Sequence, residues 1–245
     1  MRQMVSSYLM PLLLKSTQAK KALRATADPV KAQFVRNYFK TAPGEYGHGD
    51  IFIGVTVPHV RNVAKMFFSL PLKECLFLLK SRIHEERMLA LFILCAKYRE
   101  GAESLQVKIH RTYLRNLKHV NNWDLVDASA PLLMGAHLGD RPKQPLYRLA
   151  KSKRLWDRRV AILATYSEIQ NGRFTDALKI SKILLEDSED LIHKAVGWML
   201  REIGKRDVKT LERFLKSHRK TMPRTMLRYA IEKFPEEKRK SYLRK

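Results

Sequence analysis

Cysteine, glycine, proline and acidic residues are all scarce in this sequence, and each shortage removes a class of protein. Two cysteines in 245 residues exclude a disulfide framework and a zinc site built from four cysteines. Both stand among apolar neighbours, in Cys75-Leu76-Phe77 and Ile93-Leu94-Cys95, and read as small buried hydrophobes. Ten glycines and ten prolines are few, and no segment combines strict alternation with hairpin turn signals, which argues against β structure. No apolar run approaches the roughly 20 residues of a membrane-spanning helix, and the stretch from Met10 to Leu14 is too short. The N-terminus lacks the small-residue cleavage signal of a secreted chain, so the expected compartment is reducing, cytosolic or nuclear.

Recognisable metal and nucleophile chemistry is missing too. The eight histidines include no pair three or four apart with an acidic third ligand, and His84-Glu85-Glu86 lacks the second His of a zinc motif. No Gly-x-Ser-x-Gly or Cys/His arrangement occurs. The one Gly-rich stretch, Pro43 to Asp50, has neither a preceding strand nor a closing Lys-Ser/Thr, and reads as a loop between helices. No metal and no cofactor are therefore expected.

Positive charge is what the sequence has in excess. With 48 Lys+Arg against 24 Asp+Glu the net charge is +24, while 45% apolar residues suffice for a sizeable core. A compact body so charged repels itself and attracts polyanions, nucleic acid first and an anionic membrane surface second. Residues 104–156 carry ten Lys+Arg and only three carboxylates, Asp124, Asp127 and Asp140, and residues 205–245 carry fifteen against five. The second stretch is expected to touch phosphates.

Apolar residues recur at intervals of three and four. From Glu85 to Tyr98, the residues Met88, Leu89, Phe92, Ile93 and Ala96 form one stripe, with Glu86, Arg87, Lys97 and Arg99 outside it. Similar patterns predict helices over residues 60–68, 72–79, 105–117, 123–133, 158–169, 174–185, 190–203, 208–217 and 224–233. Arg87-Met88-Leu89-Ala90 aligns with Arg159-Val160-Ala161-Ile162 and Lys194-Ala195-Val196-Gly197, with Trp123 midway between the first two and Arg224 continuing the series. A period near 36 filled by two helices predicts an all-α solenoid of HEAT-like repeats, one domain over residues 1–245 with six or seven helix pairs.

Within the basic stretch, Asp124 has an ordinary explanation: an Asn of Asn121-Asn122 caps a helix and Asp124 reaches back to that cap. Asp127 stands four residues after Trp123, which puts indole and carboxylate on one helix face. On residues alone, an Asp paired with an Arg for structural reasons stays open beside a catalytic role. Trp123, Trp156 and Trp198 each stand near charge at what the repeat alignment makes equivalent points, and aromatic faces interleaved with Arg suit sugar or base contact.

Three ordered motifs carry a resemblance. Asn121-Asn122-Trp123-Asp124-Leu125-Val126-Asp127, Trp156-Asp157-Arg158-Arg159-Val160-Ala161-Ile162, and Ile192-His193-Lys194-Ala195-Val196-Gly197-Trp198-Met199-Leu200-Arg201-Glu202 together resemble the AlkD family of DNA alkylation repair glycosylases. Gly54-Val55-Thr56-Val57-Pro58 with Arg61, and Pro223-Arg224-Thr225 through Phe234-Pro235, are similar to that family's ends. The resemblance covers roughly residues 25 to 240. It implies HEAT-like repeats whose concave basic face holds double-stranded DNA, in a monomer acting in the cytoplasm, at the nucleoid in a prokaryote. It makes Asp127 the catalytic carboxylate and Trp123 and Trp198 the aromatics beside it. Arg159 falls near the lesion, with Arg158 as the other register, and Arg201 on the DNA backbone. Lys194 joins the DNA-binding set, as does Tyr38, although the 41–53 loop is longer than the family's short form. The implied reaction is excision of 3-methyladenine and 7-methylguanine from duplex DNA. Some relatives bind DNA without excising bases and lack this constellation, so a non-catalytic HEAT-like binder of bent or branched nucleic acid is the alternative.

Overall fold

The structure is a computed structural model that describes residues 14–244. The N-terminal signal reading and all but the last residue of the Met10–Leu14 run lie outside the described residues. Among those described there are fifteen α-helices, one short 3-10 helix, one π-helical segment and no strand, apart from a single bridge between Ile51 and Ile83. The fold is an all-α solenoid of HEAT-like repeats. No helix among the described residues is long and apolar enough to cross a membrane. The described residues divide into two compact units, residues 14–43 with 48–94, and residues 44–47 with 95–244.

The smaller unit contains α1 (Ser16–Arg24), α2 (Pro29–Tyr38), α3 (Val57–Met66), α4 (Leu72–Leu79) and the start of α5 (His84–Glu100). The sequence pattern missed α1 and α2. α2 opens on Pro29 with the Asp28 carboxylate capping the N–H groups of Val30 and Lys31, and a proline at the first helical position starts a helix as readily as it breaks one. Glu86 and Arg87, expected outside the apolar stripe, are buried at 0% and 3% exposure. Their charges are met inside: Glu86 takes Arg24 and Lys20, and Arg87 takes Asp50, the last residue of the Gly-rich loop. Glu85 is buried as well and accepts the backbone N–H groups of Ile53, Gly54 and Val55. Paired charges enter a core that unpaired ones cannot. Cys75 and Cys95 are buried thiols outside any disulfide, and burial pushes the Cys95 thiol up to about 12.

In the larger unit, α7 (Trp123–Ala130), α9 (Leu155–Ala164), α12 (Asp190–Arg206) and α14 (Arg224–Ala230) pack one on the next as a row. Starting at residues 123, 155, 190 and 224, they repeat every 32 to 35 residues. α8 (Gln144–Ala150) packs on α9, while α11 (Thr175–Ile183) and α13 (Val208–His218) pack on α12, so the two middle helices of the row are backed by companion helices. Two glycines set the helix spacing. A Cβ on Gly135 would sit 2.1 Å from the Ala164 carbonyl oxygen, and one on Gly197 would sit 2.5 Å from that of Met226.

The predicted 123–133 helix is α-helical only to Ala130 and continues as the π-helical Pro131–Ala136. Pro131 has no N–H to give the Asp127 carbonyl four residues back, which removes an α-type bond at that point. The predicted 158–169 helix is likewise interrupted at Thr165 before α10 (Tyr166–Gln170), where the threonine hydroxyl bonds the Ile162 carbonyl at 2.6 Å. Two further helices, α8 and α15 (Glu236–Leu243), were not predicted. Both are short, and prolines flank or open them.

Candidate active site

The row fixes a register that differs from the sequence alignment. Asp127, Arg159, Lys194 and Arg228 are each the fifth residue of their helix, so Arg159 corresponds to Asp127 rather than to Trp123. The tryptophans are not equivalent: Trp123 is first in α7 and Trp156 second in α9, but Trp198 is ninth in α12. That helix is long and starts two turns before its tryptophan.

The fifth positions of α7 and α9 meet. Arg159 Nε donates to Asp127 Oδ1 and Nη2 to Oδ2, both at 2.8 Å, a fork-to-carboxylate pair of the strong bidentate kind. Arg159 Nη1 donates to the Leu191 carbonyl on α12 at 2.5 Å, which locks the guanidinium plane. The arginine side chain is 6% exposed and the aspartate 19%. Each carboxylate oxygen gives one lone pair to Arg159 and keeps another. Burial pushes the Asp127 carboxyl above its ordinary value more strongly than Arg159 pulls it down, and Asp124 adds to the rise.

α7 is held from below. The wholly buried Tyr113 bonds Ser129 Oγ at 3.0 Å, and Ser129 donates on to the Leu125 carbonyl at 2.6 Å. The cap is Asn122, whose side chain accepts Trp123 N–H at 2.8 Å. Asp124 is thus the second helical residue, one short of the reach-back position, and its Oδ1 accepts Leu125 N–H at 2.8 Å.

Trp123 is half-buried at the first position of α7, one turn before Asp127. Lys194, Trp198 and Arg201 follow at intervals of four and three along α12, on the side that continues the Asp127–Arg159 row. Trp198 donates to Glu202 at 3.3 Å and lies 6.3 Å from the Tyr166 ring. Glu202 is buried, yet Lys205, Arg206 and Trp198 outweigh that burial and hold its carboxyl below the usual range. Arg201 pairs with Glu232, and Lys194 with Asp190 at 2.8 Å. Arg158 turns elsewhere: its fork is on Asp187, and its Nη1 donates to the carbonyls of Ser152 and Lys153. Tyr38 is 60% exposed at the end of α2, in the smaller unit.

Sequence reasoning missed two members of this region. Tyr46, from the Gly-rich loop, lies edge-on to Trp156 at 6.1 Å. Glu202 underlies Trp198 and was visible as the acid four residues after it. Among the described residues no group of three or more His, Cys, Asp or Glu is arranged to hold a metal ion.

The repeats and this paired carboxylate define a helical-repeat protein with an aspartate presented beside aromatic and basic side chains. Residues 19–234 match the model of the DNA alkylation repair enzyme family, and the chain belongs to that family. DNA is accordingly its partner. A solved structure described as a predicted DNA alkylation repair enzyme from Enterococcus faecalis is similar at 17% identity and TM-score 0.66, over 86% of this chain and 98% of that one. AlkD2 from Streptococcus mutans is similar at 18% identity and TM-score 0.50, over 90% and 97%. No curated protein matches.

Proposed function

We propose that this protein is a DNA glycosylase that excises purines alkylated at N3 or N7 from duplex DNA, in base excision repair, as one HEAT-like domain whose basic face takes the duplex. The observation that carries the reading is the Asp127 carboxylate: oriented by the Arg159 fork, one turn from Trp123, and still partly exposed. A purine alkylated at these positions carries a positive charge and leaves readily, so no strong general acid is needed. The demand shifts to the deoxyribose, which becomes cationic as the N-glycosidic bond breaks. A fixed carboxylate stabilises that charge and positions water at the anomeric carbon, and the π faces of Trp123 and Trp198 favour a cation beside them.

Family membership and the charge of +24 support DNA as substrate. Arg159 acts by orienting Asp127, whereas Arg158, tied to Asp187, is the weaker candidate for a DNA contact. Lys194, Arg201 and Tyr38 remain the proposed backbone contacts, with Arg201 and Lys194 exchanging their carboxylate partners for phosphates. The test is release of free 7-methylguanine and 3-methyladenine from methylated duplex, with binding measured across a salt series. Base release and a log–log salt slope of about −5, for about six neutralised phosphates, are expected. Binding with that slope but no release leaves a non-catalytic binder of nucleic acid.

A further inference from the structure

We infer that the C-terminal helices carry a second nucleic-acid site, a cleft that takes a single strand by its phosphates and stacks a base on Tyr242. A cavity of about 650 Å³ is lined by Arg213, Lys216, Arg219, Lys220 and Lys238 around Tyr242, within the size range of ligand sites. The one carboxylate in its wall, Glu212, is ion-paired with Lys238. Among the described residues no carboxylate forms an ion pair with the other four cations. Asp207 acts on Arg213 only beyond ion-pair distance, and like charges gathered with so little counter-charge repel one another, a repulsion that a polyanion relieves while releasing its own counterions.

The aromatic decides what kind of polyanion. Tyr242 is half-buried, with the Phe234 ring at 5.6 Å and the Arg219 guanidinium 5.9 Å from its centre. A second hollow, of about 370 Å³, shares Arg219, Lys220 and Tyr242 with the first and adds Arg224 and Arg244, with Met222 and Leu227 as an apolar wall. The tyrosine therefore stands between two cation-lined hollows. A strand can set successive phosphates in the two and lay an unpaired base against the ring and the apolar wall. In a duplex the bases are already stacked on one another, and a free phosphate needs only one hollow. Lys238, Tyr242 and Arg244 lie beyond residue 234, where the family match ends, and the site is independent of any chemistry at Asp127.

The test uses the full chain, a fluorescent oligothymidylate of about 15 nucleotides and an unmodified duplex of the same length, with anisotropy read across a salt series. Lys216→Glu combined with Lys220→Glu is expected to weaken the single strand by about tenfold or more and to flatten its salt slope by about 1.4, at about 0.7 per phosphate. Tyr242→Leu should weaken it by about tenfold with the slope unchanged, and Tyr242→Phe should restore it. Lys179→Glu with Lys182→Glu, exposed on α11, makes the same change in net charge and should leave the strand bound; thermal midpoints check that each variant is folded. Equal weakening by the α11 pair, equal loss for strand and duplex, or displacement of the oligonucleotide by inorganic phosphate at matched phosphate concentration would each overturn the assignment.

Discussion

Two aspartate–arginine pairs in this protein share their chemistry and differ in their cover. In the smaller unit, Asp50 and Arg87 are each 4% exposed at the side chain, with the guanidinium 2.7 Å from the carboxylate. The closure is tight, although Arg87 Nε is buried without a hydrogen-bond partner: Arg87 also donates to the carbonyls of Ser81 and Arg82, His84 bonds the second Asp50 oxygen at 3.1 Å, and the Phe52 ring stacks on His84. In the larger unit Asp127 keeps 19% of its side chain open while Arg159 is covered to 6%. A sealed pair spends both charges on its own desolvation and fixes a loop to a helix. An open one presents a carboxylate whose position is set by a buried arginine and whose remaining lone pairs face outward. Exposure of the acid alone, not the presence of the pair, separates architecture from candidate chemistry.

The comparison breaks first at Asp50. Replacing it with Asn keeps the shape but leaves the Arg87 charge buried without its counter-ion, a loss expected to cost about 3 kcal/mol or more of stability. Denaturant unfolding should show a lower midpoint with an unchanged slope, and base release per folded molecule should stay at the parent level. A variant as stable as the parent would mean that Asp50 is not the anchor of the 43–50 loop.

Asp127→Asn should behave in reverse. The charge matters most when the sugar becomes cationic, so excision should fall on the order of 10²-fold or more, roughly 2.7 kcal/mol of transition-state stabilisation. Binding to intact duplex should survive or tighten, since a negative charge is removed from a basic surface, and the unfolding midpoint should move less than in Asp50→Asn. Parent-level excision, or activity lost only in step with unfolding, would make this pair as architectural as the other.

A smaller effect lies in the pH profile. Because burial raises the Asp127 carboxyl above the ordinary value near 3.8, the ionised form gives way at a higher pH than in an exposed aspartate, and excision should decline from that point downward. The sign for stability is opposite: a carboxyl whose folded value is raised makes its ionised form a cost, and acidification through that value relieves it. Burial holds His110 and His137 below the usual imidazole range, His137 at about 4, so stability is lost as pH falls below the unfolded value of 6.5, for His137 through the window down to about 4. Single-turnover excision, measured alongside the unfolding midpoint at each pH, separates the two. An acid limb at 3.8 would mean that the Asp127 carboxyl is effectively solvated, and one below 3.8 that Arg159 outweighs its burial.

The row of helices and its period were legible in the sequence because apolar spacing is a local signal that the solenoid uses directly. Asp127 stood out because it follows Trp123 by one turn and because a carboxylate is conspicuous in a basic stretch. Its partner was nameable only through the family motif: the repeats bring positions 32 residues apart into contact, and the alignment on charged helix starts set Arg159 beside Trp123 instead of Asp127. The burial of Glu86 and Arg87 was illegible, since their partners Arg24, Lys20 and Asp50 come from distant segments. A pattern of charge alone reads such residues as solvated. The Tyr46 contact with Trp156 was hidden for the same reason, in a loop whose glycines advertise only a turn.

Asp124→Asn supplies the finest test, because it removes a charge from the same helix three residues away. Asp124 caps Leu125 N–H at 2.8 Å at the start of α7, where a negative charge also meets the positive end of the helix dipole, so its loss should cost about 1 kcal/mol or less. Excision at neutral pH should remain near the parent level. The acid limb, however, should move to lower pH, since Asp124 is one of the groups that raise the Asp127 carboxyl. The two variants thus differ in kind: one removes the carboxylate that faces the sugar, and the other retunes it from a distance. If Asp124→Asn abolished excision as fully as Asp127→Asn while keeping its fold, the requirement would be for negative charge at the start of α7 in general, and the Arg159-oriented carboxylate would lose its special place.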